Sequence, residues 1–129
     1  MRTMPHALTA LLLALAAGLA PAQEAPPAER LFAVEIRTGA AWDQAKPATA
    51  QPHFRAHSEH LARLRAEGRI AMGARYGDKG LLVLRAAGPD EARALMDADP
   101  SMQSRTFGYE LHEMRVFQPG WVGPAPAKP

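Results

Sequence analysis

Histidine and acidic side chains supply most of what could do chemistry in this chain. Imidazoles stand at His53, His57 and His60, and around them Phe54, Leu61 and Leu64 recur at the spacing that lines one face of a helix. His57 falls on that stripe between Phe54 and Leu61, so its ring points inward. An inward imidazole is either a satisfied core group or a working acid or base. The i, i+4, i+7 spacing of the three histidines also raises metal ligation. Positions seven apart, however, lie roughly 10 Å apart along a helix, too far for all three to meet one tetrahedral ion, and no metal site is expected. His53 and His60 are expected to flank the stripe, partly exposed. Further along, Glu110 and His112 share a strand face at i and i+2, as do Glu35 and Arg37, either as parts of a site or as ion pairs across a sheet. Trp42 and Tyr76 fall in loops, where an aromatic ring lines a pocket mouth or docks on its own domain. The stretch from Gly77 to Gly80 reads as a turn and not a phosphate cradle, because no lysine-serine pair or helix start follows it.

The elements that must position these groups are legible from periodicity. Leu31 to Arg37 alternates, with Phe32, Val34 and Ile36 on one face and Ala33, Glu35 and Arg37 on the other, as in a half-buried strand. A long connection from Thr38 to Pro52 contains Gly39, Trp42, Pro47 and Pro52, and long loops in small domains are often functional. The histidine-bearing helix follows and stops at Gly68. Arg69 to Arg75 and Gly80 to Ala86 predict two strands joined by a tight reversal over Tyr76-Gly77-Asp78-Lys79. Gly88-Pro89-Asp90-Glu91 opens a second helix with Ala92, Leu95 and Met96 buried, and Pro100 closes it, pushing Asp99 out of helical geometry. Ser101 to Thr106 is a variable connection with room for a short helical turn. Phe107 to Phe117 is the last strand. Its apolar residues change face after Leu111, which predicts a bulge near His112 or Glu113.

Strand, helix, strand, strand, helix, strand in about 90 residues is the split βαβ order of an α+β, ferredoxin-like βαββαβ domain. The expected architecture is a four-stranded antiparallel sheet with two helices on one face. The other face, with Ala33, Glu35 and Arg37, has no cover within the chain and suits a homodimer interface or a semi-enclosed cavity.

Composition agrees with one domain: 129 residues, 47% hydrophobic and 22% charged. Residues 1–22 read as a signal peptide, with Arg2 in the positive region, an Ala/Leu-rich run from Ala7 to Ala20, and small residues at Ala20-Pro21-Ala22. That run falls short of a comfortable bilayer span, so no stable membrane span is expected after cleavage. Residues 23–30 form a proline-rich linker, 31–117 the domain, and 118–129 a mobile Pro-rich tail in which only Trp121 looks able to dock. The expected destination is periplasmic or secreted. There is no cysteine, which excludes disulfides, thiol catalysis and cysteine-type metal sites. With Arg2 lost, the basic residues outnumber the 13 acidic ones by one and are scattered, so nucleic acid is not an expected partner.

Several short features, in this order and spacing, resemble the YciI-like (YCII-related) family of the dimeric α+β barrels. They are His57, Leu61, Leu64 and Gly68 in the pattern H-x-x-x-L-x-x-L-x-x-x-G, then Gly73, Glu91-Ala92, Asp99-Pro100 and Glu110-Leu111-His112. Gly39 and Trp42 resemble a Gly-x-x-Trp segment of some members. Where members often carry an arginine three residues before the histidine, this chain has Phe54, with Arg55 one position on. The resemblance implies an active site built from His57 and Asp99, and one branch of the family is linked to dehydrochlorination of a chlorinated hydroxyhydroquinone. Topology favours the same pairing: the two helices of a split βαβ fold run antiparallel, so the start of the first lies at the sheet end where the second finishes. A carboxylate beside the imidazole would fix its tautomer and raise its basicity, giving a general base. The alternative is that Asp99 caps a turn and His57 is a core group.

The expectation is therefore an exported domain that binds a small molecule. It is either a cofactor-independent lyase or isomerase with His57 and Asp99 catalytic, or a non-catalytic ligand-binding or dimeric structural module. Trp42, Arg55, His60, Glu35 and His112 are the candidate substrate contacts.

Overall fold

The computed structural model describes residues 29–120, together with Gly18. Within them the chain is α+β: four strands form one antiparallel sheet, and three helices accompany it. The first strand, β1 (Arg30–Thr38), is followed by a single 3-10 turn at Ala48–Ala50 and by α1 (Phe54–Ala66). Strands β2 (Ile70–Tyr76) and β3 (Lys79–Ala86) form a hairpin. Then come α2 (Pro89–Asp97), a one-turn α3 (Pro100–Gln103) and β4 (Phe107–Met114). The strand order is β2-β3-β1-β4, with β1 central and antiparallel to both β3 and β4.

Alternation along β1 decides which face is covered. Phe32, Val34 and Ile36 are buried and join Leu82, Leu84 and Ala86 of β3 and Leu111 of β4. Ala92 and Met96 of α2 pack onto that layer, with Leu61 of α1 and Met102 of α3 at its margin. Burial of such side chains contributes about 1.5–3 kcal/mol each and is the main force holding helices to sheet. The opposite face carries Leu31, Ala33, Glu35 and Arg37, in register with Met114, His112, Glu110 and Gly108 of β4. The core cluster lies on the covered face, while on the open face Val83, opposite Ala33, is buried.

Local signals set the boundaries. The hairpin turns at Gly77 with φ +55, and α1 gives way to Gly68 with φ +73, a backbone state in which glycine carries no Cβ penalty. Pro89 opens α2, and Asp90 and Glu91 lie at its positive end.

Two expectations about the sheet fail. Pairing between β1 and β4 runs without interruption to Leu31 opposite Met114, so β4 has no bulge near His112 or Glu113 and ends at Met114, short of Phe117. The apolar residues change face because Met114 belongs to the open face, where it meets Leu31. The register shift lies instead in β2, between Ile70 and Met72. The segment 101–106 contains α3. The signal peptide at 1–22, most of the 23–30 linker and Trp121 lie outside the described residues. No helix among those described is long and apolar enough to cross a membrane.

Candidate functional site

His57 lies in the first turns of α1, and Asp99 follows Ala98 in the two-residue link between α2 and α3. They are 42 positions apart in sequence, yet His57 Nδ1 stands 2.5 Å from Asp99 Oδ2. Asp99 is extended (φ −73, ψ 120) because Pro100 follows it, and from that geometry it caps α3, accepting the Ser101 N–H. The Ser101 hydroxyl donates to the other carboxylate oxygen at 2.8 Å and lies 3.2 Å from His57 Nδ1. Asp99 and Ser101 are fully buried. Burial alone would push the Asp99 carboxyl up, but the hydrogen bonds from His57 and from the Ser101 hydroxyl and N–H outweigh it, so the group sits below its ordinary value and is ionised at neutral pH.

An ionised carboxylate only accepts, so His57 Nδ1 carries the proton and donates it, leaving the Nε2 lone pair available. Among the described residues Nε2 has no hydrogen-bond partner, and no side-chain nitrogen or oxygen is both buried and unpartnered. The 11% of the His57 side chain that is exposed therefore includes Nε2. The Phe107 ring lies 4.7 Å from the imidazole, centroid to centroid, and Trp42 packs 5.4 Å from Phe107.

The loop that brings Trp42 there is pinned by Gln51, a buried amide. Its Oε1 accepts the Asp43 N–H, and its Nε2 donates to the carbonyls of Asp43 and Lys46. Beyond β1 the ladder to β4 continues as Gly39 N–H to the Thr106 carbonyl and Ala41 N–H to the Arg105 carbonyl. Gly39 is required there, because a Cβ would collide with the Arg105 carbonyl.

The other candidates disperse. His60 is buried and not flanking: Nε2 donates to the Leu95 carbonyl at 2.7 Å, and Nδ1 accepts from Arg63 at 3.0 Å. Leu95 is in the last turn of α2, whose carbonyls lack intrahelical partners, so His60 ties α1 to that helix end. Arg55 points into solvent, 92% exposed, and pairs with Glu59. Glu35 and His112 lie on the open sheet face, in a chain of bonds running Tyr76 hydroxyl to Glu35, Arg37 to Glu35 and Glu110, and Glu110 to His112. Hydrogen bonds, first from Tyr76 for Glu35 and from His112 for Glu110, hold both carboxyls low. Of the five candidate contacts, Trp42 is linked to His57 through the Phe107 ring, and His60, one turn along α1, is turned to the Leu95 carbonyl.

Ser101, Phe107 and Gln51 escaped the sequence reading. A serine two residues after an Asp-Pro is an ordinary capping partner and could have been found. Gln51 gave no signal. Among the described residues no group of three or more histidine, aspartate or glutamate side chains is placed to hold a metal ion. No protein-family model matches the chain, and no curated protein matches it.

Proposed function

We propose that this chain is an exported YciI-like protein, a ferredoxin-like domain that pairs through its open sheet face into a dimeric α+β barrel and performs cofactor-independent proton transfer on a small molecule. One observation carries the catalytic reading: a nearly buried imidazole held at Nδ1 by a buried, ionised carboxylate while Nε2 has no partner among the described residues. The strand order β2-β3-β1-β4, with one helical connection in each half, supports the ferredoxin-like description. Uncovered Leu31, Ala33 and Leu81 support pairing through the open face.

In this reading Nε2 removes a proton from an acidic C–H or O–H group of the substrate. The positive charge that develops on the imidazole is stabilised by Asp99, which also keeps the ring from turning. Return of the proton to a different atom gives an isomerisation, and departure of a leaving group gives a lyase reaction. A positioned base of this kind supplies about 10²–10⁴ in rate. The structural alternative has its own support, since Asp99 also caps α3 and so has a role without any substrate.

The two readings separate in a screen of phenols and enolisable carbonyl compounds for exchange of carbon-bound hydrogen in heavy water. His57→Ala and Asp99→Asn should each lower exchange about a hundredfold or more while the protein stays folded. If both variants exchange at the wild-type rate, the catalytic reading is wrong. A lower melting temperature with unchanged exchange would mark the pair as structural.

A further inference from the structure

A cleft of about 440 Å³ opens where β1 ends and β4 begins. Ala40, Met102 and Phe107 give it an apolar wall, and Asp97, Arg105 and Tyr109 bring polar groups to it. Its wall at Phe107 is the ring that also packs on His57.

We infer that this cleft binds a small organic carboxylate that also carries a hydrogen-bond donor, with Arg105 taking the carboxylate and Asp97 accepting from the donor.

The backbone at Arg105 supplies the first argument. Its φ is +61, in the left-handed region, where glycine or asparagine sits with less strain than arginine. The position is held by its carbonyl bond from Ala41, by Thr106 bonding Gly39, and by the close approach of Gly39. None of those contacts uses the arginine side chain, so nothing in the fold accounts for arginine over a smaller residue. The left-handed state itself ends α3, at the residue after its C-cap Ser104, and His53 before α1 shares it. The guanidinium of this exposed residue, like those of Arg65 and Arg75, makes no hydrogen bond or ion pair with any described residue, which leaves it free for a ligand at the cleft.

Asp97 and Tyr109 give the second. The Tyr109 hydroxyl donates to Asp97 Oδ1 at 2.7 Å, and burial and then that carboxylate push the phenol up to about 12. Tyr109 is thus a fixed neutral donor, and the other Asp97 oxygen has no partner among the described residues. Gln103 also lines the cleft, its amide donating to the Asp97 main-chain carbonyl. Arg105 and Asp97 line the cleft, and Arg93 stands close enough to Tyr109 to oppose the rise of its phenol, so the cleft suits an anion that also carries a hydroxyl or ammonium group. The apolar wall calls for a short hydrocarbon or aromatic body.

His57 is not among the residues that line the cleft, so the inference stands apart from the catalytic reading and its test reads binding and not turnover. Mandelate, its neutral amide and phenylacetate, which lacks the hydroxyl, are titrated into the full chain and followed through backbone amides. Mandelate should shift Gly39, Phe107 and Gly108, with the amide about tenfold or more weaker and phenylacetate weaker than mandelate. Arg105→Asn should lose about tenfold or more in mandelate affinity while melting no lower than wild type, since asparagine tolerates the backbone state. His57→Ala should keep mandelate binding, so failure of the catalytic reading would leave this one standing. Absence of shifts at these amides into the millimolar range overturns the assignment. So does an Arg105→Asn protein that binds mandelate as wild type does, or one that melts lower.

Discussion

Asp99 shows how a buried charge is kept at the scale of one residue. It accepts three hydrogen bonds, from His57, the Ser101 N–H and the Ser101 hydroxyl, in a place water does not reach. Removing the carboxylate strands those donors, so Asp99→Ala should cost about 3 kcal/mol in urea unfolding at pH 7. The isosteric Asp99→Asn should cost less. Because folding lowers the Asp99 pKa, its contribution is present above the unfolded value of about 3.9 and is lost as pH falls through the folded value. The stability gap between wild type and Asp99→Asn should therefore shrink as pH falls below about pH 4. A gap that failed to shrink below about pH 4 would mean the group is not held ionised by its neighbours.

At the scale of elements, the approach of β1 to the segment before β4 depends on a missing side chain. Gly39→Ala should force that crossing apart and destabilise the protein by about 2 kcal/mol or more, while Gly73→Ala, whose Cβ would meet only the Leu82 side chain at 3.5 Å, should cost far less. Comparing the two melting curves checks this. The order of strands and helices was legible because Phe32, Val34 and Ile36 alternate and because Gly68 and Pro100 punctuate their neighbours. His57 was legible as an inward ring because it interrupts an apolar stripe. The register of β2 was not, since Ile70, Ala71 and Met72 read as a normal strand although their pairing with β3 shifts there. Apolar Met114 suggested a bulge because a face open within the chain still carries apolar residues. Buried polar groups such as His60 and Gln51 were unreadable for a common reason. Each is buried by one or more specific bonds to main-chain carbonyls, and a single partner leaves no periodic trace.

For the whole molecule, the open sheet face mixes Leu31, Ala33 and Leu81 with the Tyr76-Glu35-Arg37-Glu110-His112 chain of bonds, a combination that suits a partner surface. Equilibrium sedimentation should give a dimer, and Leu81→Glu, which sets a charge at half-buried Leu81, should give a folded monomer. A monomeric wild type would remove the barrel. The same fold brings together two side chains 42 residues apart, on α1 and at the start of α3, and the functional account depends on that meeting. Ring-nitrogen NMR of His57 tests it directly. Above the pH at which the imidazole loses its charge, the account predicts a proton on Nδ1, shifted downfield by Asp99 and lost to exchange or shifted upfield in Asp99→Asn, with Nε2 bare. A proton on Nε2, or a ring indifferent to Asp99→Asn, would contradict it.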